Sequence, residues 1–410
     1  MISTQCAILV GGKGSRLGEL TRETAKPMLA VGGRPFLDVL VGECIRRGFT
    51  DILLLAGHGA AAVIEYSEAI ASSLPNGCRI EVVTEPEPLG TGGALRFALD
   101  RLDNQVLVLN GDTWFDFNWL DLLEAAADRS AVAARALSIA DRFEGLEIGA
   151  DGTVTAIVPR DTAAAGPRTV NGGVYGFLKP DIADLPERCS IELDLLPRLV
   201  ANRGLRARVY DGFFIDIGIP ESLRVAEVDV PRNLRRPAVF FDRDGVLNHD
   251  EGHVGSRDRF RWIDGAQEAI RLANDSGYYV FVITNQAGVA RGHYTEQDVE
   301  RLHGWMVNEL RKSGATVDDW RYCPFHPEGI VDAYKMAHPW RKPEPGMILD
   351  LMTKWPVDAG SSILVGDKES DCIAARRAGI RPLLFTGGNL CGFLAHELSV
   401  PPPGGRQSSA

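Results

Sequence analysis

The chain has 410 residues, and 44 Lys plus Arg against 55 Asp plus Glu leave a formal charge of −11, which excludes the broad cationic surface that duplex nucleic acid requires. With 45% hydrophobic and 24% charged residues the composition is that of a soluble globular protein, and the length predicts two domains or three. No apolar run approaches the roughly 18 residues of a membrane span.

Residues 1–10 lack the charge and length of a secretory leader. The seven cysteines are scattered without a CxxC pair. A cytoplasmic protein with reduced thiols is therefore expected, with neither membrane nor nucleic acid among its partners.

Apolar runs of strand length open the chain: CAILV at 6–10, DILLLAG at 51–57, RIEVVTE at 79–85 and VLVLNGD at 106–112. Helical segments alternate with them, which predicts an α/β fold, a largely parallel sheet with helices on both faces. LEIGADGTVTAIV at 146–158 changes the texture and predicts two strands joined at Asp151-Gly152. The periodicity stops at DVPRNLRRP, whose prolines and basic residues predict a linker over 231–237 and a first domain over 1–230. A second alternating series, AVFFD at 238–242, YYVFVIT at 278–284 and SSILVGD at 361–367, predicts another α/β domain over 238–392. Within it, Thr295 and Asp298 form a capping-box-like helix start. The chain closes on PPPGGRQSSA, and 393–410 is expected to be a disordered tail.

Immediately after the first strand comes GGKGSRLGEL, 11–20. Its glycines free backbone N–H groups to close on phosphate oxygens, and Arg16 adds a charge-assisted fork. The alternative is a tight strand-to-helix connection only. The segment is not a P-loop, because no GKS or GKT occurs, and Leu17 occupies the place of the third glycine in a dinucleotide fingerprint. Farther on, Asp112 ends a buried strand and Asp216 lies in FFIDIG, so two distant carboxylates can converge on one hard cation at the sheet's carboxyl edge.

GGKGSRL followed by TAKPML resembles the signature of sugar-1-phosphate nucleotidyltransferases. PLGTGGAL, LNGDTWFD, NGGVYGF, IELDLLP and DIGIPESL continue the match in order over about residues 1–228. GGRPFLDVL, EPLGTGGAL and LNGDTWFD are most similar to the branch that makes GDP-heptose from D-glycero-D-manno-heptose 1-phosphate. The resemblance implies a Rossmann-like, GT-A-like domain with Asp112 and Asp216 as Mg²⁺ ligands. It implies Gly11, Gly12, Gly14, Ser15, Leu89, Gly90 and Gly93 around the nucleotide, with Asn171, Gly172, Glu192 and Asp194 facing the sugar. A nucleoside triphosphate, GTP favoured, would react in line with the sugar phosphate while Arg16 and Lys26 hold the developing charge. Glu192 or Asp194 as solvated acids at a helix start, and the glycines as turn formers, are the bland alternatives.

The second half opens with FFDRDGVLN, placing Asp242 and Asp244 two apart beyond an apolar strand. On extended chain they share a face, which suits one carboxylate as nucleophile on phosphorus and the other as proton donor and acceptor, with Mg²⁺ neutralising the approach of anion to anion. This resembles the haloacid-dehalogenase phosphatases, whose remaining elements follow as Thr284, Lys342, and Asp367 with Asp371 in VGDKESD. TNQAGVARGHYTE and RKPEPGM are similar to the branch containing heptose-bisphosphate and histidinol-phosphate phosphatases. The resemblance implies Asp242 as the phosphorylated residue, Asp244 as acid and base, and Thr284 and Lys342 on the phosphoryl oxygens. Mg²⁺ would lie between Asp242, the Asp244 carbonyl and Asp367, with Asn285, Arg291, Arg341 and Lys368 gripping substrate. The family's zinc loop is altered: Cys323 remains, but Phe325, His338 and Trp340 occupy ligand positions. Four donors are normal for tetrahedral zinc, so structural zinc is not expected; the alternative is a rearranged site of Cys323, His326 and His338.

Together the halves lead to a bifunctional expectation: heptose 1,7-bisphosphate loses its far phosphate, and the heptose 1-phosphate then receives GMP. Another sugar phosphate or another base is the alternative, as is one silent domain acting as a ligand sensor.

Overall fold

The computed structural model describes residues 2–12, 14–22, 24–138, 143–159 and 166–398. Two compact units meet in sequence between Asn233 and Leu234. No helix among the described residues is long and apolar enough to cross a membrane.

The first unit alternates β1 (Gln5–Leu9), α1 (Phe36–Arg46), β2 (Asp51–Ala56), α2 (Ala60–Ile70), β3 (Arg79–Thr84), α3 (Gly90–Phe97) and β4 (Gln105–Asn110). These strands run parallel in the order β4-β1-β2-β3. Cys6, Ala7 and Ile8 of β1 and Ile52, Leu53 and Leu54 of β2 have no exposed surface, as central strands covered on both faces require.

Beyond β4 the sheet turns mixed. After the short β5 (Thr113–Phe115) come β6 (Ser130–Leu137), β7 (Gly145–Ile148), β8 (Val154–Val158) and β9 (Arg168–Leu178). β9 pairs antiparallel with β4, β6 and β7. The 146–158 hairpin is present as β7 and β8, with Gly152 at φ +80° and Asp151 Oδ1 accepting the Thr153 N–H at 3.0 Å. β10 (Leu205–Val209) then adds parallel to β6, and β11 (Phe214–Asp216) pairs antiparallel with β5.

The boundary between the units falls inside the expected linker over 231–237, but the first part of that segment is helical. α4 runs Pro220–Leu234 and contains Pro231, while Ala226 and Val230 are buried. Burial of that apolar stripe keeps the chain helical past a proline that cannot donate. Arg236 is likewise built into the second unit, its N–H donating to the Pro356 carbonyl at 3.2 Å and its carbonyl accepting from Asp358 N at 2.7 Å.

The second unit contains β12 (Ala238–Phe241), α5 (Ala266–Asp275), β13 (Tyr279–Asn285), α6 (Glu296–Lys312) and β14 (Asp319–Cys323). It continues with α7 (Gly346–Lys354), β15 (Ile363–Gly366), α8 (Glu369–Arg377), β16 (Arg381–Leu384) and α9 (Leu390–Leu398). All five strands are parallel in the order β14-β13-β12-β15-β16. The period of two divides the core: Val239 and Phe241 pack with Ile270, Met306 and Leu310, whereas Ala238 and Phe240 pack with Met347, Leu351 and Ala374. The reciprocal capping box of α6 is formed, Asp298 N donating to Thr295 Oγ1 at 3.2 Å and Thr295 N to Asp298 Oδ2 at 2.8 Å.

The expected tail over 393–410 is corrected in its first part, since α9 continues to Leu398 with Leu390 and Leu394 fully buried. Residues 399–410 lie outside the described chain.

Candidate active sites

In the first unit a cleft of about 440 Å³ crosses the carboxyl ends of the parallel strands. Because β1 lies between β4 and β2, the segment after β4 and the segment after β3 reach it from opposite sides. On the β4 side, the β5–β11 ladder sets Asp216 opposite Thr113, and Ile217 N donates to the Asp112 carbonyl at 2.8 Å. Two carboxylates 104 positions apart thereby reach one wall (216 − 112). Lys26 Nζ lies 2.6 Å from Asp112 Oδ2, both side chains largely buried, and Arg16 lines the same cleft. Two acidic groups beside two cations make a donor set suited to Mg²⁺ and the phosphates it accompanies.

Gly11, Gly12 and Gly90 also line this cleft. An adjoining hollow of about 70 Å³ is lined by Asn171, Gly172 and Glu192 together with Arg16 and Asp216. Asn171 donates to Tyr175 Oη at 2.9 Å, and a Cβ on Gly172 would lie 2.6 Å from the Phe115 ring. Glu192 accepts from Thr91 Oγ1 at 3.1 Å and from Ser190 Oγ at 2.8 Å.

Other expected residues have local work. Asp194 Oδ2 accepts the Ser190 N–H at 2.7 Å, closing a helical turn. Gly93 packs where a Cβ would lie 2.5 Å from the Glu187 carbonyl. Gly14 holds a left-handed turn at φ +59°, with its carbonyl accepting from Leu17 N. Leu89 is buried. The side chain of Ser15 lies outside the described residues.

Asn110 and Glu85 are among the cleft residues that escaped the sequence reading. Asn110 has a buried Oδ1 without a hydrogen-bond partner. Glu85 lines the β3 side, near Leu55 and Pro88, and accepts the Leu89 N–H at 3.2 Å. Burial raises its carboxyl above the ordinary range, against the Leu89 N–H. Its place just past a parallel strand was the available signal.

In the second unit Asp242, Thr284 and Asp367 occupy the carboxyl ends of β12, β13 and β15. A cavity of about 390 Å³ is lined by Asp242, Asp244, Thr284, Asn285, Arg341, Lys342 and Lys368, with Asp371. Lys342 Nζ is 2.8 Å from Asp242 Oδ1 and 2.7 Å from Asp371 Oδ1. Burial works to lower the Lys342 ammonium, yet the two carboxylates together raise it. Asp242 is pushed up to about 7 by burial, with Lys342 opposing and Asp371 reinforcing.

Oxygens of Asp242, Asp367 and Asp371 lie within 4.8 Å of one another. Asp367 Oδ1 is buried without a hydrogen-bond partner, as an oxygen arranged for a hard cation would be. Asp371 thus joins the acidic cluster, although the expected ligand set left it out. The Asp244 side chain stands apart from the cluster. It accepts from Arg243 Nη2 at 3.0 Å, Asn248 Nδ2 at 2.9 Å and Gln286 Nε2 at 2.8 Å. Arg243 has no exposed surface; it, Asn248 and Gln286 were all missed.

Asn285 exchanges two 3.0 Å hydrogen bonds with the Lys342 backbone, so it also positions that lysine. Lys368 reaches Asp250 at 3.0 Å and Asp367 at 3.5 Å. Arg291 is absent from the cavity wall but its charge acts on Arg341.

At the altered loop, Phe325 stacks on His338 with ring centroids 4.4 Å apart and meets Tyr334 at 5.7 Å. His326 Nδ1 accepts from Glu328 N and His338 Nδ1 from Trp340 N. Among the described residues, Cys323, His326 and His338 form no ligand cluster.

A family model for nucleotidyl transferases matches residues 6–233, and one described as HAD-hydrolase-like matches 339–399. The D-glycero-beta-D-manno-heptose-1,7-bisphosphate 7-phosphatase of Rhodopseudomonas palustris is 53% identical over 164 residues, 40% of this chain and 91% of that protein. Its counterpart in Salmonella typhi is 40% identical over 153 residues, 37% and 81% of the respective chains. The crystal structure of HddC from Yersinia pseudotuberculosis is similar at 30% identity and TM-score 0.50, covering 55% of this chain and 99% of that one.

Proposed function

Since the chain belongs to the nucleotidyl transferase family and, through its second unit, to the heptose-1,7-bisphosphate 7-phosphatases, we propose that it performs two reactions on one sugar. The second unit removes the 7-phosphate of a heptose 1,7-bisphosphate. The first joins the heptose 1-phosphate to a nucleotidyl group and releases pyrophosphate. The observation that carries this reading is the likeness to a 7-phosphatase: such a reaction spares the anomeric phosphate, which is the group a sugar-1-phosphate transferase consumes.

In the second unit a carboxylate oxygen of Asp242 forms a bond to phosphorus as the bond to the sugar oxygen breaks. Lys342 and Thr284 hold the phosphoryl oxygens, and Asp244 gives its proton to the departing alkoxide. Asp244 then takes a proton from water, whose oxygen attacks phosphorus and frees Asp242 and inorganic phosphate. Asp242, Asp367 and Asp371 are the residues that would hold Mg²⁺, which supplies charge neutralisation when bound. Asp112 and Asp216 would hold it in the first unit, where Arg16 and Lys26 stabilise the charge that grows on pyrophosphate.

GTP is the favoured donor because of Glu85. A half-buried carboxylate on the side of the cleft away from Asp112 accepts from two adjacent N–H groups, and guanine presents that pair at N1 and N2. Adenine offers an acceptor at N1 instead. The reading places the enzyme in the cytoplasm, where thiols stay reduced, as the seven free cysteines suit.

The test supplies the purified chain with a panel of sugar bisphosphates and each of four nucleoside triphosphates, and identifies products by mass. GDP-heptose with inorganic phosphate and pyrophosphate is expected. A better product from another sugar or another nucleotide would overturn the assignment.

A further inference from the structure

The floor of the phosphatase cavity is formed by the buried Asp242, Thr284 and Lys342, whereas His253 and Arg341 in its wall keep part of their surface in solvent. The ring of His253 meets that of His293, centroids 4.5 Å apart. His253 has a left-handed backbone at φ +52°, which is costly for a residue bearing a side chain. Arg259 holds that turn by donating to the carbonyls of Glu251, Gly252 and His253 at 2.9, 2.8 and 3.0 Å.

Positive charge crowds this rim. The charge of Arg291 acts on His253, on His326 and on Arg341. Around His253 stand His293, Arg291 and Arg259 as cationic or titratable neighbours, with Asp250 as the acid that faces it. Asp250 is itself engaged by Lys368 at 3.0 Å. Burial, His293 and Arg291 together hold the His253 imidazole below its ordinary range. Donors that repel one another when empty are stabilised by a bound anion.

We propose that the His253–His293 pair, with Arg291 beside it, seats the phosphate that the phosphatase leaves on the sugar, and so sets the preference for bisphosphorylated over monophosphorylated sugars. The inference rests on reading this unit as a bisphosphate phosphatase. A sugar that presents one phosphoryl group to Asp242 at the floor carries its second toward the rim, where a dianion accepts N–H bonds from both rings. The dianion favours the protonated form of His253, so the preference strengthens as pH falls toward the lowered range in which that ring takes up its proton.

The full chain is assayed on heptose 1,7-bisphosphate and on p-nitrophenyl phosphate from about pH 6 to about pH 8, and the ratio of the two kcat/KM values is followed. His253→Asn, which tolerates left-handed backbone, and His293→Gln are each expected to lower that ratio about tenfold at the acid end, through KM for the bisphosphate. His293→Lys, which keeps a cationic donor beside His253, restores the ratio. An unchanged ratio, including equal losses on both substrates, overturns the assignment. A wild-type chain without preference for the bisphosphate overturns the reading of the unit and the histidine assignment with it. A preference that survives loss of the pair overturns the histidine assignment alone.

Discussion

At Asp242 the proposed Mg²⁺ would compete with a proton. Its carboxyl is pushed up to about 7, so the metal-free folded chain takes up a proton there as pH falls, which the proposed Mg²⁺ would have to displace. Mg²⁺ affinity is therefore expected to rise severalfold from about pH 6 to about pH 8, with proton release on binding. Calorimetry in buffers of different ionisation heat measures both, and a pH-independent affinity without proton release would contradict this account. At Glu85 the proposed chemistry is selection of the base. Glu85→Gln replaces two acceptors by one acceptor and one donor, which is expected to cost about 10- to 100-fold in kcat/KM for GTP while narrowing its lead over ATP. Equal losses with both nucleotides would remove Glu85 from base recognition.

Elements obey their local sequence where local chemistry suffices. Thr295 with Asp298 starts α6 with a capping box, and Asp151-Gly152 turns the β7–β8 hairpin, both readable from adjacent residues. The two departures, α4 across Pro231 and α9 across 393–398, arise from burial against distant chain, which composition does not report. Leu394→Ala is accordingly expected to destabilise the second unit by about 2–5 kcal/mol in denaturant unfolding, the cost of a core cavity. A loss below about 0.5 kcal/mol, the range of surface substitutions, would mean that α9 is dispensable. In the altered loop, Phe325, His338 and Tyr334 pack as rings. The untagged protein is expected to contain no stoichiometric zinc by elemental analysis and to keep its phosphatase activity after a zinc-selective chelator with Mg²⁺ resupplied. Stoichiometric zinc whose removal abolishes activity would refute that expectation.

In the whole molecule, the carboxylates proposed for the two chemistries belong to different units. Asp242→Asn is expected to reduce phosphate release by about 10³-fold or more while nucleotidyl transfer continues, and Asp112→Asn to do the reverse. Loss of both activities from either folded variant would argue for a shared site. The sequence by itself determined the two α/β halves and the residues that end their parallel strands: Asp112, Asp242, Thr284 and Asp367 are legible because strand, turn and carboxylate are neighbours in the chain. Only the tertiary structure decided that Asp371 joins Asp242 at Lys342, that Glu85 shares a cleft with Asp112, and that His253 meets His293. It also gave Asp194 a helical turn and Gly93 a packing contact to serve. The physical reason is that covalent neighbours constrain backbone conformation, whereas distances between remote side chains are set by how helices and strands bury their apolar faces against one another.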